Sequence, residues 1–257
     1  MRPSPRQWAS LRPLQRVALR PEYATKMCGR YRIKDAETFR LYVKQVYGID
    51  LPDLTPRYNV APSQLMPIVA ADETGAPRAA TMKWGLVPFW DKSAKPKIAP
   101  INARVEEAFT KAMFRQSIQH RRCLIPADGF YEWQKLSGDL KQPMDIQLKN
   151  GGPFFMAGIY ETATELRPET YLLFTTQPNE LMAKIHNRMP AILSEEKAKR
   201  WLTKGPVTVE ELNDLTTPYP ASEMEAKPIS TLINNPRNDM PECIAGPDDP
   251  PRPGELF

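Results

Sequence analysis

Arg121-Arg122-Cys123-Leu124-Ile125-Pro126-Ala127-Asp128-Gly129-Phe130-Tyr131-Glu132-Trp133 carries one strand-like run at 122–126 and most of a second at 129–134. Further runs follow at 143–149, 153–159 and 170–176. In the first of these, Met144, Ile146 and Leu148 alternate with polar neighbours, the period of a half-buried strand. No regular helices separate these runs, which argues against a doubly wound parallel sheet. The expected fold class is α+β: a single domain of mostly antiparallel strands forming a barrel-like sheet with flanking helices.

Upstream, Asp35 is placed to cap a helix that carries Phe39, Tyr42, Val43 and Val46 on one face and closes at Gly48. A Pro-rich loop over 52–67 feeds short strands near 64–70 and 78–84. The spacing of Ala108, Phe109, Ala112 and Met113 predicts a second helix from Glu106 to Gln119. Downstream, a helix from Asn179 is expected to end at His186. Ser194 before Glu195 and Glu196 suits a helix start, and Thr208 with Glu211 reads as a capping box.

The chain has 257 residues, 41% hydrophobic and 25% charged, the balance of a globular protein. No apolar run approaches the roughly 20 residues of a membrane span. The net charge of +5 resides wholly in residues 1–26, where five Arg and Lys26 face only Glu22, so residues 27–257 sum to zero. A neutral body argues against nucleic-acid binding by bulk charge. With 28 Pro against 12 Gly, rigid loops and strand ends are expected. Three units follow: a basic Pro/Arg-rich leader at 1–26, a domain at 27–245 and a Pro-rich tail at 246–257. The leader lacks the apolar core of a secretory signal. Its Arg-rich, acid-poor character matches a mitochondrial transit peptide only superficially, and a disordered leader or an upstream start codon is the simpler reading. Cys28, Cys123 and Cys243 form no CxxC pair, so neither a disulfide framework nor a zinc ribbon is suggested. The cytoplasm is the natural compartment for such thiols. His120 and Cys123 have metal-like spacing without further ligands, and no metal or cofactor is expected; Cys123 reads as core.

Met27-Cys28-Gly29-Arg30-Tyr31 holds unusual chemistry if translation starts at Met27 and the initiator is removed. Cys28 would then carry a free amine, with an ordinary pKa of about 7.7–8.0, and a thiol on adjacent carbons. Such a pair traps an aldehyde: the amine forms an imine and sulfur closes a five-membered thiazolidine. An internal Cys forms neither.

Six further segments accompany it in order. They are Arg57-Tyr58-Asn59-Val60-Ala61-Pro62, Trp84-Gly85-Leu86-Val87-Pro88, Ile101-Asn102-Ala103-Arg104-Val105-Glu106, the stretch from Arg121 to Trp133, Ile185-His186-Asn187-Arg188-Met189-Pro190, and Asn234-Asn235-Pro236-Arg237-Asn238-Asp239. Together they closely resemble the SRAP family, the SOS-response-associated peptidase or abasic-site processing proteins, from about Met27 to Cys243.

The resemblance implies a protein that recognises abasic sites in single-stranded DNA and bonds to the ring-opened sugar aldehyde through its amino-terminal Cys28, shielding the lesion. It places the remaining active-site positions on Asn102, Glu132 and His186. His186 suits a donor near the sugar ring oxygen, Glu132 a proton acceptor, and Asn102 a residue that holds the sugar. Some members of the family are associated with β-elimination and with self-processing before the Cys, so lyase and protease activities are implied as well. Taken alone, Glu132 would be an exposed strand carboxylate, Asn102 a helix cap and His186 a favourable helix terminus. Arg30, Arg57, Arg104 and Arg188, with Asn59, are expected to line a DNA groove. Trp84 is expected to stack a base, while Phe89 and Trp90 could stack or sit in the core. The protein is expected to act as a monomer on single-stranded DNA, without a membrane. Two rival readings remain: a cysteine peptidase using Cys28 with His186 and Asn102 or Glu132, which would tolerate the leader, and a non-covalent single-strand binder.

Overall fold

Asp35 starts the first helix as its sequence predicts, its carboxylate accepting from Thr38 N–H at 3.0 Å, and Gly48 ends it in the left-handed region at φ 70°. The computed structural model describes residues 29–51, 54–72 and 74–247. The leader and all but the first two residues of the tail lie outside these. In chain order come β1 (Tyr31–Ile33), α1 (Ala36–Tyr47), β2 (Arg57–Val60), β3 (Leu65–Ala71) and β4 (Pro77–Trp84). A long loop leads to β5 (Asn102–Arg104), α2 (Ala112–His120), β6 (Arg122–Ala127), β7 (Gly129–Lys135) and β8 (Lys141–Leu148). Then follow β9 (Phe154–Glu161), β10 (Thr170–Thr176) and the two-residue strands β11 (Met189–Pro190) and β12 (Ile192–Leu193). Helices α3 (Glu195–Leu202) and α4 (Val209–Leu215) precede β13 (Met224–Pro228).

The strands form two sheets. The first has the order β13-β8-β7-β1-β2. In the second, β4, β3, β6 and β9 pair in turn, and β10 pairs with both β9 and β4, which closes a ring. The pairings are antiparallel except those of β10 with β4 and β5. The α+β class and the barrel-like sheet are therefore as expected. Cys123 lies wholly buried in the barrel, where loss of solvent pushes its thiol pKa well up.

Two helices differ from expectation. The predicted helix 106–119 splits into a 3-10 turn at Val105–Glu107 and α2, with Lys111 extended between them. Glu106, within the 3-10 turn, pairs with Arg188 at 2.7 Å. The predicted helix from Asn179 is only a 3-10 turn at Met182–Lys184. Asn179 starts it by accepting from Met182 N–H at 2.9 Å. Ser194 and the Thr208–Glu211 capping box begin α3 and α4 as predicted.

The turn between β6 and β7 explains the Asp128-Gly129 pair. Arg32 on β1 is fully buried and donates to Asp128 and, through Nε and Nη2, to Asp145 at 3.0 and 2.9 Å. Asp128 also accepts from Asp35 N–H at 3.0 Å, tying the start of α1 to the same cluster. A Cβ at Gly129 would stand 2.5 Å from Arg32 Cζ, so only glycine lets the guanidinium lie there. Gly129→Ala is expected to cost about 1–3 kcal/mol, as overpacking does, read as a lower urea midpoint. An unchanged midpoint would mean that Arg32 yields without cost.

Candidate functional site

The junction of β1 and β7 brings the amino-terminal Gly29-Arg30-Tyr31 segment beside the Gly129–Trp133 stretch. Tyr31 pairs with Phe130 and Arg32 with Gly129, and Tyr131 N–H donates to Arg30 O at 3.0 Å. Continued one step, this register sets Gly29 opposite Glu132. Cys28 lies outside the described residues.

Glu132 is buried, 4% exposed, and not the solvent-facing carboxylate that strand alternation alone suggests. Both faces of β7 are covered at this point. On one face Tyr131 packs with Ile229, Ile233 and Cys243, while Trp133 Nε1–H donates to Asn234 Oδ1 at 2.7 Å. Toward the other, Gln134, two residues from Glu132 and so on the same strand face, donates to Lys184 O at 3.0 Å. That bond holds the turn before His186 against the face that carries Glu132.

His186 ends this turn, its N–H bonded to Met182 O at 2.8 Å, and its Nδ1 accepts from Arg188 N–H at 3.2 Å. Asn102 opens β5 and pairs with Leu173 of β10, two residues before the pairing of Arg104 with Thr175. It is a strand residue, and the 3-10 turn that follows begins at Arg104 without a side-chain cap. Beyond Arg188 the chain enters β11, which pairs with the same stretch of β10. Asn102 and His186 therefore belong to segments that both dock on the C-terminal half of β10. A pair of side chains bridges those segments: Arg188 Nη1 and Nη2 bond both carboxylate oxygens of Glu106 at 2.7 Å, and Nη2 also bonds Thr175 O at 2.6 Å. The Arg188 guanidinium holds the Glu106 carboxyl below its usual range.

The expected DNA contacts separate into two groups. Arg104 is exposed. Trp84 is not available to a base: it is 1% exposed, stacked on Tyr171 at 6.2 Å and tilted on Tyr31 at 5.2 Å, with its Nε1–H on Ile101 O. Asn59 is also fully buried, donating to the carbonyls of Ile233, Asn235 and Asn238. Arg188 is 4% exposed and committed to Glu106. Arg57 bonds Asp239 and Gln64, and Arg30 bonds Asn59 Oδ1 and Ile233 O, each at 2.9 Å. Burial lowers the Arg30 pKa. Arg30, Arg57 and Asn59 thus hold the 233–239 segment as a strap beside Trp133. These polar residues are in use inside the protein, where an unpaired buried group would be costly.

Phe89 and Trp90 are exposed, Trp90 at 51%, and meet edge to face at 5.0 Å. Their loop closes by Leu86 N–H on Pro100 O at 3.0 Å and leads directly into Asn102. Glu106 reads in sequence only as a helix start, since nothing in spacing links it to Arg188, 82 positions away. Among the described residues no three His, Cys, Asp or Glu side chains gather as a metal site would need, and no helix is long and apolar enough to cross a membrane.

A family model described as SOS response associated peptidase (SRAP) matches residues 27–236. Abasic site processing protein YoqW of Bacillus subtilis is 42% identical over 225 residues, 85% of this chain and 99% of its own length. The Escherichia coli protein YedK, of the same description, is 34% identical over 85% of this chain and 99% of its own. Abasic site processing protein HMCES of Xenopus tropicalis is 32% identical, over 74% of this chain and 66% of its own. A solved structure from Bacteroides thetaiotaomicron superposes with a TM-score of 0.70 at 26% identity, over 85% of this chain and 99% of that one. With a family model spanning most of its length and full-length relatives above 30% identity, the chain belongs to the SRAP family.

Proposed function

We propose that this protein processes abasic sites in single-stranded DNA by bonding to them through the amino group and thiol of Cys28, acting as a monomer whose working chain begins at that residue. The observation that carries this reading is the β1–β7 register, which sets Gly29 in line with the buried Glu132. A carboxylate there is suited to take the proton released as the amine attacks. The family model's start at Met27 supports the same beginning.

The chemistry balances without a redox partner. The amine attacks the sugar aldehyde and expels water, giving an imine. Sulfur then adds to the imine carbon, and the thiol proton passes to nitrogen. Asn102 holds the sugar and His186 donates near its ring oxygen. The imine also acidifies the neighbouring carbon, which is how β-elimination could arise at the same site.

The test joins mass and reactivity. Intact mass gives the mature terminus, and single-stranded DNA with one abasic site then reports a heat-stable crosslink. Crosslinking is expected from protein that begins at Cys28 and absent from protein that retains residues 1–26. Undiminished crosslinking with those residues attached would sink the mechanism. Peptide hydrolysis lost on His186→Ala, with no crosslink, would favour the peptidase reading.

With Trp84 buried, base stacking falls to Phe89 and Trp90. The double change Phe89→Ala, Trp90→Ala is expected to weaken binding of undamaged single strands by about 1–3 kcal/mol for each stack lost. Fluorescence anisotropy checks this, and an unchanged Kd would remove the loop from the interface.

A further inference from the structure

We infer that His186 meets the sugar ring oxygen as a neutral imidazole through Nε2–H, and that Glu106 and Arg188 are the pair that positions it. This inference rests on the abasic-site reading above. Arg188 N–H points at His186 Nδ1 from 3.2 Å. A backbone N–H can only donate, so Nδ1 must present its lone pair, and the single proton of the neutral ring then sits on Nε2. An imidazolium in this place would set two N–H groups against each other.

The donor that fixes the ring is itself fixed by the side chain of the same residue. Arg188 is buried, and its guanidinium is held by two bonds of 2.7 Å to Glu106 and one of 2.6 Å to Thr175 O. Gln177 Nε2–H steadies Glu106 from another side at 3.1 Å. Glu106 lies in the turn directly after β5, so the strand that carries Asn102 also sets the orientation of His186. Without Glu106 the buried guanidinium is uncompensated, and the 186–188 turn must relax for it to reach water.

The role this gives His186 differs from that of a charged acid. Opening the sugar moves one proton from the hemiacetal hydroxyl to the ring oxygen, so the step needs no net proton. A neutral Nε2–H aimed at that oxygen stabilises the negative charge that develops on it. The imidazole begins and ends the step in the same state.

The chain has only two histidines, so nitrogen-15 NMR of the imidazoles is readily assigned with His120→Gln as reference. At the pH of the crosslinking assay, DNA-free protein is expected to show His186 as the Nε2–H tautomer. Glu106→Ala is expected to mix the tautomers and slow crosslink formation about tenfold, part of the ~100-fold or more that one placed hydrogen-bond donor supplies. Glu106→Gln, which keeps the shape but accepts fewer bonds, should fall between and remains informative if Glu106→Ala does not fold. An Nδ1–H tautomer or an imidazolium in the unaltered protein would overturn the inference. So would a folded Glu106 variant with both the original tautomer and the original rate. Failure of every form to crosslink would instead strike the functional reading, with the tautomer still deciding the orientation of His186.

Discussion

Cys28→Ser is expected to form no heat-stable adduct with an abasic site, yet to yield a crosslink when borohydride is present. Serine keeps the terminal amine, so imine formation survives. The hydroxyl is a far weaker nucleophile than a thiol, which is already a few per cent thiolate at pH 7, so the second ring-closing step is lost. Borohydride reduces the waiting imine to a stable secondary amine. Gel analysis of heated samples with and without the reductant reads both results. A heat-stable adduct from Cys28→Ser at the original yield would exclude the thiazolidine, and failure to trap anything would exclude the imine.

The second large effect concerns stability. Arg32→Leu is expected to cost about 3–5 kcal/mol at pH 7, because it leaves Asp128 and Asp145 buried without their cation. The loss should shrink in acid. Burial raises the Asp145 pKa even with Arg32 beside it, and removing Arg32 takes away the opposing charge. An acid whose folded pKa lies above its unfolded value binds the proton more tightly when folded. The stability tied to that proton is fully present below the unfolded pKa and is lost as pH rises through the folded one. Urea denaturation at pH 7 and near pH 4.5 should therefore show a smaller gap between variant and parent at the lower pH. An equal gap at both would mean that Asp145 does not carry the penalty.

Elements whose signals are local were legible in the sequence. Asp35 and Gly48 bound α1, Thr208 and Glu211 start α4, and the alternation of Met144, Ile146 and Leu148 marks β8, because each depends on neighbours a few positions away. The helix expected over 106–119 broke at Lys111, which is extended between a 3-10 turn and α2. The same limit governed the site. Asn102, Glu132 and His186 were named by resemblance to a family, and their own spacing would have left them as a cap, a surface carboxylate and a helix end. Glu132 lies buried on the face of β7 against which Gln134 holds the 182–186 turn, an arrangement no local pattern announces. The arginines carry no local signal of their partners. Arg30, Arg57 and Arg188 look like phosphate ligands in sequence, but each has carboxylate or carbonyl partners inside the fold, while Arg104 remains open to solvent.

The place of β1 also bears on mechanics. It is an interior strand of the first sheet, bonded to β7 on one side and β2 on the other, and Arg32 pins it from within to Asp128 and Asp145. A DNA strand bonded at Cys28 would pull on the protein along this strand. Such tension shears two ladders and the ion cluster together, where an edge strand would be peeled away one bond at a time. Unfolding an adduct formed there would therefore mean breaking the sheet itself, while the covalent bond to the DNA would survive it.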